Sequence, residues 1–380
     1  MTKLLPILIG ALFWAWMTEA STRGKFGVHR QSVSNWLAFC MLVVTLALPI
    51  VLRRTYNDTG AYINGFLKAD PIGVLLVRGE LHLLRNPMFR IYESLVRTFT
   101  DNYTLFFLFP AVFVQYSYMR FIRRHSPSLL VGVALYLFLG TYTFSIAAMK
   151  QVWAMAILLY AVDALIERKL LRFSMLVFLA ALFHTYAIMF LVLLVFGVKP
   201  WSPRSFLVLL GIILVMYNFE PVLTAFLEVA NESGKHVSAE EILGTAAINP
   251  IRVAVYAVPP LFALVFHPWL FLGREDREHN ILVNMSFLTV AIMSVGLVSA
   301  ANMFARMGQY FEFGVICGLP WMLKQPFEKS SVRLVYLLAM VCFAGYFCYA
   351  HLVQIYFDDH FGRYTVMEFV DTLWRGFLFG

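Results

Sequence analysis

Phe178–Val192 reads FLAALFHTYAIMFLV, an apolar run broken once, at His184-Thr185-Tyr186. An ionisable ring there is either a satisfied structural histidine or a group that takes a proton from, or hydrogen-bonds to, a sugar or phosphate. Basic residues stand at the ends of other apolar runs. Arg53 and Arg54 close one, Lys150-Gln151 opens another, and Arg252 opens a third. Arg306 opens a fourth, with Gln309 and Tyr310 at i+3 and i+4, one face of a regular helix. Arg grips phosphate oxygens with two parallel bonds, whereas Lys acts as a point charge. Two or three such cations suit a departing pyrophosphate, on which negative charge builds as it leaves. The plain alternative is that each one snorkels to the membrane surface and anchors its helix. Arg306 and Lys150-Gln151 are favoured for chemistry, and spacing does not separate Arg53 from Arg54. Asp58, in YNDTG, serves either a turn or a reaction, as base or acceptor of a sugar hydroxyl.

These residues sit in a chain of 380 residues that is 61% hydrophobic and 14% charged. Soluble domains carry roughly 45–50% apolar and about 25% charged residues. The expected fold is therefore an all-α polytopic integral membrane protein, with a single transmembrane domain over 1–351. The net charge of +8 belongs mostly to short loops, where it sets orientation and does not call for nucleic acid. Cys40, Cys317, Cys342 and Cys348 all lie in apolar runs, with neither a disulfide framework nor metal-ligand spacing. The start resembles a signal peptide, with Ala20 at a cleavable position. Arg23, Lys25 and Arg30 after it, against Lys3 alone, favour a retained first helix.

Apolar segments fall near 4–18, 36–52, 103–120, 128–147, 150–166, 173–198, 205–220, 251–271, 280–300, 308–323 and 333–351. The connections 20–34, 120–127, 167–172, 199–204, 273–279 and 324–332 are basic or carry clustered Lys/Arg. The loop 221–250 and the tail 352–380 are acidic, and both are expected outside. All six basic connections lie inside only if 173–198 enters the membrane and returns. The reading is about ten full transmembrane helices plus a re-entrant pair at 173–198, with His184 at its tip. Phe173–Phe183 is about 16 Å long as a helix and Tyr186–Val198 about 20 Å. Pro259-Pro260 is expected to interrupt the helix that Arg252 begins.

A long external loop, 53–102, holds two segments that read as short amphipathic helices, DPIGVLLVRGELHLLRN and PMFRIYESLVRTF, separated at Asn86-Pro87. The sequence contains no P-loop, no GxGxxG opening a helix, no HExxH and no GxSxG. No nucleotide-driven step is indicated. The two halves show no likeness to each other, against an inverted-repeat transporter.

Several blocks resemble EpsG-like, Wzy-type polysaccharide polymerases: TYNDTGAYINGF, TDNYTLFF with YMRFIRRHSP, the run from Met149 to Leu194, and NMFARMGQYFEFGVICGLP. The resemblance spans roughly 35–325 and departs where Lys150-Gln151 stands for the family's usual Arg-Gln. It implies a GT-C-like membrane glycosyltransferase of the bacterial inner (cytoplasmic) membrane, its active site facing the periplasm or exterior. It implies that polyprenyl-pyrophosphate-linked oligosaccharide repeat units are joined there by attack of an acceptor sugar hydroxyl. Arg306, Lys150 and one of Arg53 or Arg54 would hold the pyrophosphate, with Arg252 nearby. His184 or Asp58 would act on the acceptor. No cofactor, metal or nucleic acid is expected. Membrane lipid, a chain-length regulator and a flippase of the same pathway are the expected partners. The alternatives are a flippase or transporter of lipid-linked oligosaccharide, or a glycan ligase or acyltransferase.

Overall fold

The computed structural model describes residues 4–350 except 23–32, 55, 80, 82–85, 197–198, most of 219–247, 274–275 and 300–301. The tail 352–380 and most of the acidic loop lie outside the described residues. The described residues are all-helical. The chain divides into two compact units: residues 1–159 with 182–184 and 334–380, and residues 160–181 with 185–333.

In the first unit, α1 (Leu5–Thr22) packs along α2 (Val33–Val51). Asn35 ties the two together, its amide donating to the Thr18 carbonyl at 2.7 Å and to Ser21 Oγ at 3.0 Å. The long loop then forms α3 (Thr59–Lys68), α4 (Ile72–Arg78) and α5 (Pro87–Phe99). Sequence patterning anticipated α4 and α5 and missed α3. Proline at the first position of α5 loses no hydrogen bond there, because that N–H has no intrahelical acceptor. Next come α6 (Tyr103–His125), α7 (Leu129–Phe138), α8 (Thr141–Ala147) and α9 (Met149–Ile166).

The segment 128–147 is not one straight span. Gly140 adopts φ +83°, open to glycine at little cost, and α8 leaves α7 at 59°. Polar groups gather beside the break. Tyr136 donates to Gln115 at 2.8 Å, and Gln115 donates to Ser145 at 3.0 Å. All three are buried, in keeping with the need to satisfy polar groups internally where water is scarce.

The second unit holds most of α10 (Leu170–Phe183), whose last residues and His184 count with the first unit, and then a 3-10 helix, Thr185–Val192. The Phe173 and Phe190 rings stack at 6.3 Å. A straight helix would separate residues seventeen apart by about 25 Å, so the chain folds back on itself here. Then follow α11 (Leu193–Phe196), α12 (Pro203–Tyr217), α13 (Pro250–Val265), α14 (His267–Phe271), α15 (Arg277–Ser299), α16 (Asn302–Gly308) and α17 (Phe313–Lys324). The final helix, α18 (Val332–Cys348), belongs almost entirely to the first unit.

Helix α15 is the hub of the second unit, touching α12, α13, α16 and α17. Gly314 allows a very close approach of two helices. A Cβ there would lie 2.4 Å from Met285 Cβ and 2.5 Å from the Leu282 carbonyl. With Gly318 one turn on, it lets two backbones meet, as small residues do between membrane helices. The expected break at Pro259-Pro260 does not occur, for α13 runs through both prolines. The Pro260 carbonyl accepts from the Trp201 indole at 3.1 Å.

Among the described residues, four helices are long and apolar enough to cross a membrane, at Ser34–Val51, Tyr103–His125, Met149–Ile166 and Arg277–Leu297. The bent pair α7 and α8 makes a fifth candidate. Length alone therefore does not reach the expected count of about ten. Several apolar runs that read as spans contain a break and become helices of 10–17 residues.

Candidate active site

Lys150, Glu93 and Arg90 of the first unit gather where α3 and α5 meet the start of α9. Tyr92 pins α5 to α6, donating to the Phe106 carbonyl at 2.6 Å. Phe66 from α3 stacks on Phe106 at 4.5 Å, and Phe89 from α5 meets the same ring at 6.3 Å. Lys150, second residue of α9, places its ammonium 4.7 Å from the Phe89 ring centre and 5.9 Å from that of Tyr62. The negative faces of those rings attract the cation without neutralising it. Among the described residues, no carboxylate oxygen comes within ion-pair distance of Lys150. Gln151, beside it, is buried.

One turn into α9, Trp153 lies 4.7 Å from Tyr92 and 4.7 Å from Phe183. Phe183 is the last residue of α10, so half-buried His184 follows directly on this aromatic cluster.

Structure separates Arg53 from Arg54. Arg53 has no exposed surface, and its guanidinium donates to the Ile146 carbonyl while lying 4.3 Å over the Phe107 ring. Ile146 is among the last residues of α8, whose carbonyls lack partners within the helix. Burial lowers the Arg53 pKa to about 10, against the raising effect of Tyr62, Tyr56 and Asp58. The group stays charged at neutral pH and braces the break before Lys150. Arg54 is exposed, as is Asp58. Asp58 precedes α3 without capping it through its side chain. The intervening turn carries Tyr56 at φ +121° and Asn57 at φ +46°, and such a φ is an outlier for a residue as bulky as Tyr56.

Glu93 is the residue that sequence reading passed over. It sits one turn beyond Phe89 on α5 and is half-buried. Burial pushes its carboxyl up to about 7, opposed by Lys150 and then Arg90. In sequence, Arg90, Glu93 and Arg97 look like a solvated ladder of i+3 and i+4 ion pairs. In the structure Arg97 pairs instead with Asp101, and the Glu93 side of the helix turns inward. Only the proximity of NGF in α3 to this helix could have flagged it, and that is a tertiary fact.

The second unit holds the remaining candidates. Arg252 lies 5.9 Å from the Tyr256 ring centre, and the Tyr256 hydroxyl donates to Glu312. Tyr256 and Glu312 are both wholly buried. Glu312 was also unremarked in the sequence, where one acid in GQYFEFG gives no periodic signal. Arg306, Gln309 and Tyr310 do not share a face as expected. The helix tightens to 3-10 at Gln309–Phe311, leaving Arg306 exposed while Gln309 and Tyr310 are buried. Among the described residues, no group of three His, Cys, Asp or Glu is placed to hold a metal.

No curated protein and no solved structure matches this chain. The family model for EpsG matches residues 36–365. That span contains every helix described here except α1 and the first residues of α2, and its apolar helices are those of a multi-pass membrane protein. The chain belongs to the EpsG family, the family of Wzy-type polysaccharide polymerases.

Proposed function

We propose that the chain joins oligosaccharide repeat units carried on polyprenyl pyrophosphate, at the outer face of the bacterial inner (cytoplasmic) membrane. The acceptor's sugar hydroxyl attacks the anomeric carbon of the growing glycan, and the lipid pyrophosphate leaves. The observation that carries this reading is Lys150, an ammonium held over two aromatic faces at the start of an 18-residue helix. A helix start and a lysine both favour an anion, and rings cannot compete with a phosphate for the charge. Arg54, exposed on the same unit, is the better second clamp, since Arg53 is committed to Ile146. Arg306 and Arg252 are assigned to phosphate by their chemistry alone.

The re-entrant reading of 173–198 is supported by the reversal at His184. Single-cysteine labelling across Lys199–Arg204 tests it. Reaction only with inside-directed reagent is expected, and outside labelling would sink it. For the activity, the full chain in liposomes is given lipid-linked repeat units. A ladder of longer glycans is expected. Movement across the bilayer at unchanged length would replace the polymerase with a flippase.

A further inference from the structure

Glu93 is a carboxyl group that the proposed phosphate clamp does not use. It stands on a helix fixed at two points, through Tyr92 to the Phe106 carbonyl and through Thr98, whose hydroxyl accepts from the Ile72 N–H at 2.9 Å. Opposite it, α3 presents Gly65. A Cβ on Gly65 would lie 3.5 Å from Glu93 Oε1, and any longer side chain would fill the space in front of the carboxyl. Among the described residues, Glu93 makes no hydrogen bond and no ion pair. One turn back on its own helix, the Phe89 ring carries the Lys150 ammonium.

We propose that Glu93 is the general base of the transfer, accepting the proton of the acceptor hydroxyl. This rests on the polymerase reading and adds the group that activates the nucleophile. The hydroxyl's O–H bond breaks, and its proton passes to a Glu93 carboxylate oxygen. The freed electron pair forms the new glycosidic bond to the anomeric carbon. The anomeric carbon–oxygen bond to phosphate breaks, its electron pair leaving on the pyrophosphate beside Lys150. Glu93 returns the proton to water once the lipid pyrophosphate has gone. No other reactant is needed.

Competing groups fit less well. Asp58 is exposed, in the turn before α3. Glu312 is wholly buried and already holds the Tyr256 proton donor. The charged groups acting on Glu93 are Lys150 from α9 and Arg90 from α5, and the Lys150 ammonium also lies 5.9 Å from the Tyr62 ring centre. A carboxyl in such surroundings titrates to about 7, near the pH at which a base does most for a neutral nucleophile. Binding of a pyrophosphate at Lys150 would offset the cation that holds Glu93 in its charged form. Its proton affinity would then rise with substrate in place.

The test compares the full-length wild type with Glu93→Gln and Glu93→Asp in liposomes. Two readouts are taken: the rate of glycan lengthening, and the binding of undecaprenyl pyrophosphate as the leaving-group probe. E93Q should lose about 100-fold or more in rate while binding the probe within about threefold of wild type. E93D should recover part of the rate. The wild-type rate should fall as pH drops through about 7, and Arg90→Gln, which removes a cation, should move that limb to higher pH. E93Q that lengthens glycans within about threefold of wild type would overturn the proposal and leave the polymerase standing. A wild type that binds the probe yet lengthens nothing would overturn the polymerase reading, and this proposal with it. Should E93Q fail to fold, an unmoved limb in Arg90→Gln decides against Glu93.

Discussion

Glu312 in the second unit has no exposed surface and takes a hydrogen bond from the Tyr256 hydroxyl. Glu93 in the first unit is half-buried and sits one turn from the ring that carries the Lys150 ammonium. Both are single carboxyl groups in helical, apolar surroundings. A buried acid with a donor locked onto it holds elements together, because stripping the donor strands a desolvated oxygen. An acid left partly wet, tuned by cations and unbonded, is free to exchange a proton. The backbones around them differ in the same sense. The second unit closes tightly at Gly314 against α15, whereas a Cβ at Gly65 in the first would meet Glu93 Oε1 at an ordinary contact distance of 3.5 Å.

That contrast can be broken most forcefully at Gly314. Gly314→Leu puts atoms where the Leu282 carbonyl and Met285 already stand, at a cost of about 3 kcal/mol or more. Size-exclusion chromatography in detergent should show the monodisperse fraction collapse. A well-behaved protein would mean that this packing is looser than described. Next in size is Lys150→Ala. Glycan lengthening should fall about 100-fold, near 2.7 kcal/mol in barrier, with the melting profile of the protein little changed. Parallel loss of melting temperature and rate would make Lys150 architectural, like Glu312.

Tyr256→Phe should act the other way round. Leaving the buried Glu312 without its donor costs about 1–3 kcal/mol, visible as a lowered melting temperature. The rate per folded molecule should stay near wild type, and a selective loss of rate would bring this pair into the chemistry. The smallest effect is a gain. The Glu93 carboxyl titrates higher in the folded chain than in the unfolded one, about 7 against 4.5. Between those values the unfolded group is ionised while the folded one keeps its proton, so stability falls as pH rises through that window. E93Q removes the dependence and should be more stable than wild type at pH 8, by on the order of 1 kcal/mol. Stability below wild type at pH 8 would show that Glu93 supports the fold.

Much of the helical plan was legible in the residues. Long apolar runs with basic connections mark membrane helices, and Asn86-Pro87 correctly separated two short helices of the long loop. The interruption at His184 was also legible, and the chain does reverse there. The break at Gly140 was not, since one glycine in an apolar run is ordinary until its φ is known. Pro259-Pro260 misled in the opposite direction, for the helix runs through both prolines. Arg306, Gln309 and Tyr310 were placed on one face by a spacing that holds only for an unbroken α-helix.

By itself the sequence determined the solvent, the helical class and the kind of charge chemistry available. Those follow from composition and from short-range periodicity, which a chain carries whatever its fold. Which cation is taken up by the fold and which is left exposed was decided only in three dimensions. Arg53 and Arg54 are neighbours of one residue type, yet one is spent on the end of α8 and the other faces out. Glu93 belongs to a charged stripe that reads as solvated. It became a candidate base only when α3, α5 and α9 met around it, because burial and field are properties of neighbours distant in the chain.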